Sequence, residues 1–132
     1  MSTSRNSYPL RTLLLVDAAT CVVMGAVLIS GSALIATLTA IPSALLLYAG
    51  FVLFPIAAFM AAVASQAWRA GVWLVIAGNV MWVAGSLWLM VGGWIAPNVL
   101  GYAFIAAQAL AVALLAALEH VALRRASSAV AA

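Results

Sequence analysis

The chain alternates long apolar runs with short polar breaks. Met1 to Leu10 is polar and rich in Ser, with Tyr8 and Pro9 just before Arg11, the composition of a short interfacial lead-in. From Thr12 to Ser30 the residues are almost wholly apolar, and Asp17 is the one charge. A spanning helix uses roughly 20 residues, so this run predicts a first span over 12–30. Ser30, Gly31 and Ser32 break it, and Ala33 to Ala40 before Pro42 is too short to cross. That stretch predicts a short interfacial helix between spans one and two, the alternative being one tilted helix that runs on to Thr39. Further apolar runs predict spans over 43–65, 71–92 and 98–123, followed by a small-residue tail, Ala126 to Ala132, that is expected to fray. Pro55, near the middle of span two, lacks a backbone donor and is expected to bend that helix, freeing a carbonyl near Phe51. The expected fold is all-α, a four-transmembrane-helix bundle in one integral membrane domain over 1–132.

Composition agrees and adds orientation. Hydrophobic residues make up 69% of the 132 positions and charged ones 5%, against about 25% charged in a soluble domain. The lipid bilayer is therefore the expected partner. The charges are five Arg, with no Lys, and one each of Asp and Glu, for a net +3. Isolated arginines form no basic groove, so no nucleic-acid partner is expected. Arg5 and Arg11 precede span one, Arg69 separates spans two and three, and Arg124 and Arg125 follow span four. All five fall on one side, which the positive-inside rule makes cytoplasmic. The expectation is a bacterial inner-membrane, multi-pass protein with both termini in the cytoplasm and the first span retained as an uncleaved anchor. Tyr8, Trp68 and Trp73 fall at the inner boundary and Tyr48, Trp88, Trp94 and Tyr102 toward the outer one, as interface anchors do.

Small residues suggest where helices meet. Gly71, Gly78, Gly85 and Gly92 recur every seven residues and stay close to one face of span three. Lipid supplies little hydrophobic drive between helices, so close backbone approach through small residues holds them together. Span two offers Ala57, Ala58, Ala61, Ala62 and Ser65, which predicts a tight hairpin of spans two and three. The same stripe could serve a homodimer. A faint likeness of Val23–Ala26 to Val83–Ser86 hints at a two-plus-two duplication.

Polar residues inside spans are costly and are usually functional or paired. Here they are Asp17, Asn79, Gln108, Glu119 and His120. At the 1.5 Å rise of a helix, Asp17 and Glu119 each lie roughly 8 Å from the arginine side and Asn79 about 12 Å. Gln108 precedes Glu119 by almost three turns, on the same face. Asp17 shares a face with Cys21 and Met24, and Asn79 with Trp82 and Ser86. These residues predict a polar, inward-opening cleft lined by spans one, three and four. Its bland reading is pairing: Asp17 with Asn79, Arg11 or His120, and Glu119 with Arg124 or Arg125. Its functional reading is a carboxyl kept from water that exchanges a proton with a substrate. Lone Cys21 excludes an internal disulfide and a multi-Cys metal site. Adjacent Glu119 and His120 point about 100° apart, so neither a metal, a cofactor nor a catalytic residue is expected.

The stretches Leu53–Phe59 (LFPIAAF) and Ala77–Trp82 (AGNVMW), Trp94 to Pro97, and the ending Leu118 to Arg125 resemble those of small four-pass bacterial inner-membrane proteins of uncharacterised activity. Length, span count and an acid in span one are also distantly similar to the small multidrug resistance transporters. That likeness would imply a proton-coupled antiporting dimer with Asp17 as the coupling carboxyl. The chain departs from that family in having Asp for Glu, in lacking its Trp-Ala-Tyr-type motif, and in placing every arginine on one side. The leading expectation is a non-enzymatic accessory or helix-interaction protein, in a larger membrane complex or a homo-oligomer. The alternatives are a small proton-coupled transporter using an Asp17/Glu119 cleft, and a binding protein for lipid, quinone or pigment.

Overall fold

A computed structural model describes the backbone of residues 2–131 and the side chains of residues 10–126. It is all-helical: α1 (Ser2–Ser30), α2 (Ser32–Thr39), α3 (Ser43–Gln66), α4 (Arg69–Val91) and α5 (Val99–Ala131). Four of these are long and apolar enough to cross a membrane, over Leu10–Ser30, Ser43–Gln66, Arg69–Val91 and Val99–Ala126. The chain is a four-span bundle, since helices satisfy every backbone group within themselves where no water is present. α5 runs on through the small-residue tail to Ala131, in keeping with the helix preference of its alanines. Pro55 lies inside a continuous α3. Tyr8 is outside the residues whose side chains are described. The other belt aromatics, Tyr48, Trp68, Trp73, Trp88, Trp94 and Tyr102, are all exposed.

Connections are short. Ala40 and Ala67 take left-handed backbone conformations, with φ of 58° and 52°, and end α2 and α3. The chain thus turns from α3 into α4 through only Ala67 and Trp68. At the opposite end α2 is fastened to the start of α5 by Asn98. Its amide N–H donates to the Thr39 carbonyl at 3.0 Å, its side-chain nitrogen donates to the Leu38 carbonyl at 2.8 Å, and its side-chain oxygen accepts the Gly101 N–H at 2.8 Å. The last bond is an N-cap for α5, and the first two satisfy carbonyls at the end of α2. Gly101 is buried, and a Cβ there would run into the Thr39 carbonyl.

The helices pair α3 on α1, α1 on α5 and α5 on α4. Buried positions explain the main seam. On α1 they include Leu14, Ala18, Gly25 and Leu28, and on α3 Leu46, Gly50, Leu53, Ala57, Met60 and Ala64. Steps alternating between three and four residues are the mark of knobs-into-holes packing. At the crossing, a Cβ on Gly25 would lie 2.9 Å from the Gly50 carbonyl oxygen, and one on Gly50 would lie 3.0 Å from that of Gly25. This is the small-residue approach on which helix association in lipid depends.

The tight hairpin expected of spans two and three does not form. α3 turns its buried seam to α1 and leaves Ala58, Ala61, Ala62 and Ser65 exposed. α3 and α4 have little contact. They meet near their turn, where Gly71 packs beneath Val63 and Trp68. Further along the stripe, Gly78 and Gly85 have nothing within 4 Å of where a Cβ would stand, and Gly92 is crowded by Trp88 and Trp94 near its own helix end. The stripe is one face in sequence and three environments in space. A glycine repeat marks permission for close approach, and Gly25 and Gly50 found that approach first.

Two substitution sets test this. Gly25→Leu or Gly50→Leu should destabilise the protein in detergent by about 1–3 kcal/mol through overpacking, whereas Gly78→Ala and Gly85→Ala should match the parent in thermal unfolding. Asn98→Ala should lower stability by about 1 kcal/mol, the worth of a helix cap, read by the same unfolding assay.

Candidate functional site

Asp17 lies one heptad before Met24 on α1, Asn79 one heptad before Ser86 on α4, and Glu119 in the second half of α5. The pairing of α1 with α5 and of α5 with α4 brings the three side chains together. Asn79 Nδ2 donates to Asp17 Oδ2 at 2.7 Å and reaches Glu119 Oε1 at 3.4 Å. Exposure is 2% at Asp17, 6% at Asn79 and 0% at Glu119. Cys21 adds a weak thiol contact, Sγ to Asp17 Oδ1 at 3.9 Å, one turn along α1. Glu119 Oε2 is buried with no hydrogen-bond partner. Among the described residues neither acid has an ion pair, and Arg11, Arg69, Arg124 and Arg125 are exposed. Of the pairings open to Asp17 in sequence, the amide of Asn79 is the one formed.

A second polar layer lies further from the arginine end. Trp82 Nε1 donates to Gln108 Oε1 at 2.7 Å, Gln108 Nε2 donates to Ser86 Oγ at 2.9 Å, and Ser86 Oγ donates back to the Trp82 carbonyl at 2.8 Å. Gln108 therefore cross-links α4 and α5 and does not join the acids. His120 is also apart. Its ring stands edge-on to Trp73, with centroids 5.4 Å apart, on a different face of α5 from Glu119. The five expected cleft residues thus divide into a triad, a cross-link and an aromatic contact.

The gap between α3 and α4 holds a cavity of about 540 Å³, lined by Asp17, Asn79, Trp82 and Gln108 and by apolar groups that include Leu53, Ile56 and Met60. A neighbouring cavity of about 560 Å³ shares Met24, Gly78, Trp82 and Gln108 with it and continues past Gly85 to Leu28, Leu46 and Phe104. Exposed residues rim both, with Val52 and Phe59 from α3 and Leu74 and Met81 from α4. The mouth therefore opens sideways, toward where lipid tails lie. The cleft expected from spans one, three and four also has a wall from span two. Leu53, Ile56 and Met60 gave no signal in the sequence, because an apolar residue facing a cavity looks like one facing lipid. Asn98 left a trace: a cap-forming residue three positions ahead of a glycine.

Chemically, the triad offers carboxyl oxygens at the edge of an apolar space with one amide as their shared donor. Asp17 is the member of the triad whose oxygens could accept a hydrogen bond from an occupant of that space. The four spans and this intramembrane acid cluster define a small multi-pass helical membrane protein. No family model, curated protein or solved structure matches the chain.

Asn79 is the amide that donates to both acids. Asn79→Leu should lower stability by about 1–3 kcal/mol, the cost of stranding a buried acceptor. Glu119→Gln, which brings a donor of its own, should unfold at or above the parent temperature in the same detergent.

Proposed function

We propose that this protein is a non-enzymatic binding protein of the bacterial cytoplasmic membrane that takes an apolar molecule from the bilayer into the cleft between α3 and α4. The arginine-bearing ends face the cytoplasm, with both termini inside. The observation that carries the reading is the joint cavity: an apolar space of ligand size, open on the lipid side, with Asp17 and Asn79 in its wall. A few polar groups set among apolar walls are what orients a ligand in such a site. The open glycines, Gly78 and Gly85, flatten the α4 side of the same space.

A second reading has its own observation. Two buried acids without a cation are costly in an apolar setting, and a proton relieves that cost. Proton-coupled transport would draw on that exchange, with Asp17 and Glu119 as the exchanging pair. The helix-interaction reading competes for the same face, since a helix seated on Gly78 and Gly85 would close the cleft.

Native mass measurement after mild extraction from membranes distinguishes these. The binding reading expects a monomer mass with a bound small apolar species. A clean apoprotein mass, or a stoichiometric partner or second copy that protects α4 from labelling, would sink it. In vesicles, the transport reading expects substrate-driven proton movement that Asp17→Asn abolishes while unfolding behaviour is retained. Binding without transport expects no such movement in either protein.

A further inference from the structure

The two cavities form one groove. They share Met24, Trp82 and Gln108, so the indole of Trp82 stands at the joint and not at an end wall. From Asn79 to Leu89, which lines the far part, the groove runs about 15 Å along α4 at the rise of a helix. Its two ends differ. The near end has the Asp17 carboxyl in its wall, backed by Glu119, whose Oε2 lacks a donor. The far end is lined mostly by aliphatic and aromatic side chains. The groove has one hydrogen-bond-accepting end and one apolar end.

Resting on the binding function proposed above, we propose that the ligand is an amphiphile whose head donates a hydrogen bond to Asp17 and whose apolar part lies past Trp82 toward Leu89. A head that only accepts would meet two acids and gain nothing. A donor head supplies what the acids share too little of, since Asn79 Nδ2 serves both. A head with no polar atom leaves that demand unmet. The titratable groups facing Asp17 are Glu119 from α5 and Cys21 from its own helix. Asn79 faces it from α4 without titrating, and the part of α3 that packs here offers Ala57, Met60 and Ala64.

The fluorescence of Trp82 reads the pose directly. The probes are ω-bromododecanol, whose hydroxyl donates and whose terminal bromine quenches indole emission, and ω-bromododecyl methyl ether, which cannot donate. The Trp82 signal is the emission lost in Trp82→Phe. It is measured independently in a chain with W68F, W73F, W88F and W94F, where Trp82 is the single tryptophan and all four replaced residues are exposed. The expected result is saturable quenching of Trp82 by the alcohol, with the ether binding about tenfold more weakly, the worth of one hydrogen bond to a charged or buried acceptor. Equal, saturable quenching by both probes would overturn the donor-head inference and leave the apolar-binding function standing. Quenching that rises linearly with either probe, as for bulk partitioning, would overturn both.

Discussion

A carboxyl inside hydrocarbon must find a donor, and in this protein two of them share one amide. Asn79 bridges Asp17 and Glu119, and in doing so ties α1, α4 and α5 together at one depth. Lipid gives helices no hydrophobic reason to prefer one another, so such polar demands, with the Gly25–Gly50 approach, decide which helices pair. α5 joins α1 and α4 because its acid needs the same amide as Asp17. α3 joins α1 because two glycines permit the backbones to touch. α3 and α4 have neither device along most of their length, and there the bundle stays open.

That gap is also where Asp17 and Asn79 border open space. A cleft between two spanning helices faces lipid and not water. The same bonds that hold the bundle thus set the character of the site: acceptor-rich at the triad, indole-lined at its middle and apolar beyond. The Trp82–Gln108–Ser86 layer keeps its polar atoms bonded to one another, which leaves Asp17 as the acceptor in the groove's wall.

Much of the fold was legible in the residues. Run lengths located four spans, and the break at Ser30–Ser32 with Pro42 marked a short helix before span two. Asp17, Asn79 and Glu119 could be placed at similar depth from helical rise alone. Their joining needed the helices' rotations, which hydropathy does not carry, because the lipid face of each helix is as apolar as its buried face. The glycine stripe misled for a related reason. Spacing shows that residues share a face, and it does not name what that face meets. Gly71 met α3, while Gly78 and Gly85 met open space.

The sequence by itself determined the class, the spans and the short list of polar groups, because transfer into lipid depends on composition and length. Tertiary structure decided the partners. It separated His120 and Gln108 from the acids and brought Asn79 between them. It also moved the tight helix pair from spans two and three to spans one and two. Each of those outcomes depends on which side of a uniformly apolar helix faces inward. That choice belongs to interatomic contact and not to hydropathy.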